Sequence, residues 1–347
     1  MRRPLLIGLI AGALAVVILT IVGVLVVSSV IDRNDAIAEH RVAAGALADA
    51  VAASETAVAE ADDVLALATD PLLDAGALDA LSSDRDAAAE TLESADEMLG
   101  IDPASLDTES VRDLTDDLRI VTVDARGDDD IVYGSTEAVA GLAAATGHAV
   151  DTENFDAENQ PRIAFRYALA DLDLAEDDQT ADYLIGYLDA AHALEASHAE
   201  EIAEKAGPLL DRRLAVQEFA RAYSSGVLLD FDWAPTVNGY GTGGSYGGTS
   251  YWSSSDGGYA TITFSDSVAT LWPGIGVQSL AIHEVGHAVL ARSDCNTLFF
   301  DSEFAAGGEE PWATAWAIGL GYTADGNGES VYGRPPDELI SMSTQCR

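Results

Sequence analysis

Hydrophobic positions change their spacing several times along the chain, and each change predicts a different element. The opening stretch from Leu5 to Val30 runs 26 residues without a charge. As a helix it would be about 39 Å long, against about 30 Å of bilayer hydrocarbon. A cleavable signal peptide has a shorter apolar region of about 7–15 residues, so the pattern predicts a single transmembrane signal anchor over residues 1–31, with late cleavage at Val27-Ser28-Ser29 left open. From Asp35 to about Leu67, small apolar residues recur every three or four positions. Ala44, Leu47, Val51, Val58 and Leu65 share one stripe, which Asp70-Pro71 breaks. The spacing resumes near Ala75 with Leu78, Leu81, Ala88, Leu92, Ala95 and Leu99, and stops at Gly100. Two such stripes joined by a short turn predict an antiparallel, alanine-rich helical hairpin, a stalk over residues 32–100.

Residues 101–207 form a mostly helical, acidic region. A helix is expected from Ser105 to Arg119, then a short extended piece at Ile120-Val121-Thr122-Val123 and a loop from Arg126 to Asp130. A long helix follows from about Thr180, a plausible N-cap, to Ala206, where Gly207-Pro208 ends it. It carries His192 and His198, whose spacing of six does not share a helix face, so both are expected at the surface. Past Pro208 the pattern shifts. Leu209 to Tyr223 is amphipathic, while Gly226 to Trp233 and Tyr259 to Phe264 have the short period of strands. The Gly-, Ser- and Tyr-rich residues 238–258 between them suit equally a mobile loop over a cleft or a long hairpin connection. Ser279 to Leu290 is an apolar helix. The class is therefore α+β: one transmembrane helix, a helical stalk, and a C-terminal domain over 208–347 with a small sheet.

Composition narrows the setting. Net charge is −42, of which residues 1–207 carry −32 and residues 208–347 carry −10, and Lys205 is the only lysine. A field this negative repels nucleic acid and anionic lipid, so a phosphate-binding role is rejected for the soluble part. It suits a solvated surface in a salty or extracellular setting; an attraction for basic substrates is the sharper alternative. Arg2 and Arg3 should stay in the cytoplasm, which places residues after about Asp32 outside it, on a single-pass cell-membrane protein. Outside the cytoplasm, two cysteines in one domain most often pair. A Cys295–Cys346 bridge would contribute on the order of 4 kcal/mol by the loop-entropy model. The stalk is read as helix packing, with a protein partner as the functional alternative.

The helix from Ser279 carries His283-Glu284-Val285-Gly286-His287. Residues four apart lie on one helix face, so both imidazoles can reach one ion, with Glu284 turned beside them to hold water. Random placement at this composition gives about 0.02 such matches, so chance is a minor source. Leu280, Ile282, Val285, Val289 and Leu290 would bury the helix except at that face, and Gly286 allows another element to approach.

The order helix, strand, strand, motif helix resembles the upper subdomain of zincin metallopeptidases, over roughly residues 208–347. That family lays an edge strand along the active-site helix and pairs substrate with it, which makes Tyr259–Phe264 the expected edge. The metzincin extension is excluded, because Leu290 and Ser293 occupy its Gly and final His positions. With no histidine after His287, the third ligand must be a carboxylate, a gluzincin-like set. Glu310-Pro-Trp-Ala-Thr314-Ala-Trp-Ala resembles the second-helix motif E-x-x-A-[ND]-x-[FW]-A of several zincin families. That register gives Glu310 as ligand, with Glu309, Glu303 and then Asp325 in reserve, Pro311 at the helix start, and Thr314 where a ligand histidine is oriented.

The resemblance implies a zinc-dependent peptidase acting on peptide or protein substrates. Zinc would be held by His283, His287 and Glu310, Glu284 would be the general base toward a zinc-activated water, and Tyr322 or Tyr332 would be an oxyanion donor. The competing expectation is a non-enzymatic surface protein, a partner-binding stalk with a structural or degenerate zincin-like domain.

Overall fold

The apolar run and the acidic stripe after it form one helix, α1 (Pro4–Leu65). The structure, a computed structural model, describes residues 4–174 and 179–347, with side chains from Val17 onward. Arg2 and Arg3, on which the expected orientation rests, lie outside the described residues. From Val17 the helix is long and apolar enough to cross a membrane. Its large side chains there, such as Leu19 at 71% and Leu25 at 61%, are exposed. The chain divides into two compact units, Met1–Ala145 with Leu172–Ile185 and Thr146–Asp171 with Gly186–Arg347.

In the first unit, α1 pairs with α2 (Ala75–Leu99), whose N-cap Asp74 accepts from the Ala77 amide at 2.8 Å. Arg85 reaches Asp62 near the turn, and Arg33 donates to the carbonyls of Ala104 and Leu106 at the far end, so the hairpin is antiparallel as its spacing predicts. The buried seam of α1 runs through Ala43, Leu47, Ala50, Ser54, Ala57, Ala61 and Val64, alternating steps of four and three. Of the expected stripe, Leu47 and Val51 are buried, while Ala44, Val58 and Leu65 are half-buried. Alanines win the centre because they let helix backbones approach closely, leaving larger residues on the flank.

The next helix, α3 (Thr108–Glu153), corrects two expectations. Ile120–Val123 is helical, not extended, and 126–130 is not a loop. Val111, Thr115, Leu118, Thr122, Ala125, Val132, Thr136 and Val139 repeat the four-and-three rhythm on its buried face. Packing overrides the β propensity of Ile120 and Val123, both exposed.

The second unit holds α4 (Asn159–Leu172), most of α5 (Thr180–Glu204), and α6 (Leu210–Arg221). Its sheet follows, from β1 (Leu228–Ala234), β2 (Gly248–Ser253) and β3 (Tyr259–Ser265). Strand order is β1-β3-β2, with β1 parallel and β2 antiparallel to β3. Tyr259–Ser265 is thus the central strand between β1 and β2, and the edge strand against α8 is β2, inside the stretch expected to be a loop or connection. The alternately buried Ala260, Ile262 and Phe264 suit a centre, whereas the polar β2 tolerates solvent.

After α7 (Asp266–Leu271) comes α8 (Ile275–Ala288), which packs against the sheet and against α10 (Glu310–Gly319). Shorter helices complete the unit: α9 (Ser293–Phe300), α11 (Glu329–Tyr332) and α12 (Asp337–Ser343). One core joins Phe231, Ile262 and Phe264 of the sheet to Ile282, Val285 and Val289 near α8 and to Trp312 and Trp316 of α10. The Cys295–Cys346 disulfide is formed and buried within it. Among the described residues the chain is mostly helical with one small three-stranded sheet, compatible with α+β.

Candidate metal centre

Helix spacing places His283 and His287 one turn apart on α8, with ring centroids 5.1 Å from each other. Both are buried, at 4% and 8% exposure. α8 and α10 approach each other at Gly286. A Cβ added there would lie 2.8 Å from the Ala313 Cα, and the Gly286 carbonyl accepts from Trp312 Nε1 at 3.0 Å. This contact sets Glu310, the first residue of α10, above the two imidazoles. Its Oε2 lies 3.1 Å from His283 Nε2 and 3.4 Å from His287 Nε2. One ligand atom from each of the three residues falls within 4.8 Å of the others. Pro311 sits in the first turn of α10, where its missing amide costs nothing.

The reserve carboxylates are elsewhere. Glu303 is exposed in a short 3-10 turn, and Asp325 is exposed at the rim of a neighbouring cavity. Glu309 lies 3.8 Å from His287 Nδ1, behind the ring, where its Oε2 also accepts from Trp252 Nε1 of β2 at 3.0 Å. At this distance it acts on the histidine as a neighbouring charge. The partner of His283 is different again: its Nδ1 donates to the main-chain carbonyl of Asn327 at 3.0 Å. Thr314, expected to orient a ligand histidine, does not do so; its buried Oγ1 meets no hydrogen-bond partner. Of the other histidines, His192 is exposed and His198 is half-buried beside Phe155, and neither joins the cluster.

The donor set can be tested for a cation. A carbonyl only accepts, so His283 carries its hydrogen on Nδ1 and turns the lone pair of Nε2 toward Glu310. A lone pair facing a carboxylate oxygen repels it unless a positive charge stands between them. His287 reports the same demand. Burial opposes its charge, but Glu309, Glu310 and Glu284 outweigh burial and push it up to about 10. Burial raises Glu310 as well, yet the two histidines beside it hold it well below the usual carboxylate range. Two imidazole nitrogens and one carboxylate around a common point fit a divalent cation of zinc's preferences.

Glu284 is 4% exposed and finds no hydrogen-bond donor among the described residues. Burial raises its pKa, against the pull of the two histidines. It faces β2: a Cβ added at Gly248 would stand 2.7 Å from the Glu284 carboxylate, so only glycine admits this approach. Two cavities meet at Glu284. One, of about 340 Å³, includes Tyr240, Tyr246 and Asp325; the other, of about 440 Å³, includes Thr249, Phe300 and Glu309. Tyr332 lines both and stacks on His283 with centroids 6.1 Å apart. Burial, then the Glu310 carboxylate, pushes its phenol up to about 12. Tyr322 is instead bonded to the Tyr223 hydroxyl at 2.8 Å in an aromatic cluster with Phe219, so of the two tyrosines the fold brings Tyr332 to the site.

The chain matches no family model, no curated protein and no solved structure. Sequence reasoning missed Asn327, the role of Glu309, and β2. The only local signal for Asn327 was its turn setting, Asp325-Gly-Asn-Gly328.

Proposed function

We propose that the chain is a membrane-anchored, zinc-dependent peptidase whose zincin-like C-terminal part lies outside the cytoplasm. The observation that carries this reading is the convergence of His283, His287 and Glu310 beside an unpartnered, buried Glu284. Zinc bound by the three ligands supplies a Lewis acid for the scissile carbonyl and a water acidic enough to act near neutral pH. Glu284, whose proton affinity burial has raised, takes the proton of the attacking water and returns it to the leaving amine. Tyr332 keeps its phenolic proton at working pH and donates a hydrogen bond to the carbonyl oxygen as charge develops there. The free edge of β2 receives an extended peptide as an added strand, taking the role the resemblance had given to Tyr259–Phe264.

The Asn327 carbonyl holds the His283 imidazole in register, and the Glu309 carboxylate stands 3.8 Å behind that of His287, where zinc binding would draw it in. The anchor keeps Arg2 and Arg3 in the cytoplasm. The buried disulfide suits the oxidising side.

The test uses the full chain in detergent micelles, measuring zinc by elemental analysis and cleavage of a quenched-fluorescent peptide library. One zinc per chain is expected. Glu284→Gln should retain the zinc and lose activity by about 10²–10⁴-fold. A chain that purifies without zinc, or a Glu284→Gln variant as active as the parent, overturns the reading in favour of a non-enzymatic surface protein.

A further inference from the structure

The 340 Å³ cavity is lined by His283 and Glu284 but not by His287, Glu309 or Glu310. Three tyrosines contribute to its wall: Tyr240 and Tyr332, about half exposed, and the half-buried Tyr246. Its charged carboxylates are Glu284 and Asp325, and no arginine or lysine lines it. Asp325 is fixed from two directions. Ser330 Oγ donates to its Oδ1 at 2.9 Å, and the Tyr246 hydroxyl donates to its carbonyl at 2.9 Å. Tyr246 itself is wedged between Gly276 and Gly326, where added Cβ atoms would fall 2.3 Å from its hydroxyl oxygen and 3.0 Å from its ring. This wall is therefore packed in place. Glu284, nine-tenths buried and without a partner, points the second carboxylate at the same space.

A side chain entering the cavity meets aromatic faces and fixed negative charge with no compensating cation. A carboxylate there would be repelled by Asp325 and Glu284. An apolar group would gain area but leave both charges unanswered. An ammonium or guanidinium gains a carboxylate and tyrosine faces together. The net charge of −42 adds a long-range field that concentrates cations near the surface. We propose that this cavity binds a lysine or arginine side chain of the substrate, with Asp325 as the residue that selects it. The inference rests on the peptidase reading for its substrate, while its binding part can be measured without catalysis.

Zinc-loaded full-length Glu284→Gln in micelles, in which Asp325 is the cavity's remaining carboxylate and any preference read is its own, would be titrated calorimetrically with acetyl-Ala-Ala-X-Ala-Ala-amide, where X is Lys, Arg, Leu or Glu. The expected result is binding of the Lys and Arg peptides at least tenfold tighter than the Glu peptide and tighter than the Leu peptide. Adding Asp325→Asn should shrink the Lys-to-Glu ratio at least fivefold. Leu binding as tightly as Lys, a ratio unmoved by Asp325→Asn, or no binding by any of the peptides overturns the inference. The unmodified chain separates this from the wider reading. Cleavage with no preference for basic residues overturns the cavity assignment and leaves the peptidase intact. Selective binding of Lys without cleavage of any peptide does the reverse.

Discussion

At the scale of single residues, the centre is decided by what stands behind the imidazoles. A ligand histidine binds well only if its other nitrogen is held, because that bond fixes both tautomer and ring angle. Asn327 does this for His283 through a main-chain carbonyl, which side-chain substitution cannot remove directly. Glu309 faces the Nδ1 of His287 at 3.8 Å, close enough to act on it as a charge, with a side chain itself tied to Trp252 on the edge strand. Replacing Glu309 by Gln is expected to weaken zinc binding about 10–100-fold, read by competition with a chromogenic chelator. Glu303→Gln, at an exposed position away from the cluster, should leave the affinity unchanged. Equal losses in both variants would remove Glu309 from this role. The pieces legible in the sequence were those carried on one helix, since His283, Glu284 and His287 follow from the rotation per residue alone. Glu310 came from a resemblance in the second helix. The two supports of the imidazoles were not legible: a carbonyl carries no residue signature, and Glu309 differs from its neighbour Glu310 only by where α10 begins.

At the scale of elements, short-range rhythm served well and pairing between distant segments did not. The hairpin of α1 and α2 was readable because both its stripes repeat locally. The strand order was not, since β1 and β3 become parallel neighbours with β2 between them in sequence but outside them in space. In α3, β-branched residues at 120–123 masked a helical rhythm that extends on both sides of them. This yields a paired prediction. Leu118 is fully buried and Val123 is 69% exposed. Leu118→Ala should destabilise the first unit by about 2–5 kcal/mol. Val123→Ala should change stability by no more than about 0.5 kcal/mol, as a surface helical position does. Urea titration of the full chain followed by circular dichroism measures both. Comparable losses at the two sites would mean that Val123 faces a core, as an extended segment at 120–123 would allow.

At the scale of the whole molecule, acidity is both a solubility device and a load on the fold. Most of the −42 sits on exposed carboxylates, which repel one another once ionised and are screened by salt. Asp230 is an exception. It is 7% exposed on β1, and burial, then the nearby Glu201, pushes it up to about 7. The folded chain therefore holds a proton there that the unfolded chain releases near its ordinary value of 3.8. Between those two pH values the native state binds more protons, so stability falls as pH rises, by up to about 4 kcal/mol, and stays lower above pH 7. His287 adds a separate window in the metal-free chain. With its folded value near 10, the stabilisation it gives is complete below about 6.5 and is lost as pH rises toward 10. Zinc at the proposed centre would replace that proton and bring a pH dependence of its own, so the Asp230 contribution is read in the metal-free chain below about 6.5, where His287 is protonated both folded and unfolded. Urea titrations of metal-free protein in 1 M salt, where exposed charges are screened, should show stability falling from pH 5 to pH 6.5. In Asp230→Asn the slope should largely vanish, because an amide has no proton to surrender. A slope that persists in the variant would assign the pH dependence to other buried groups, foremost Glu201, which burial also raises beside Lys205.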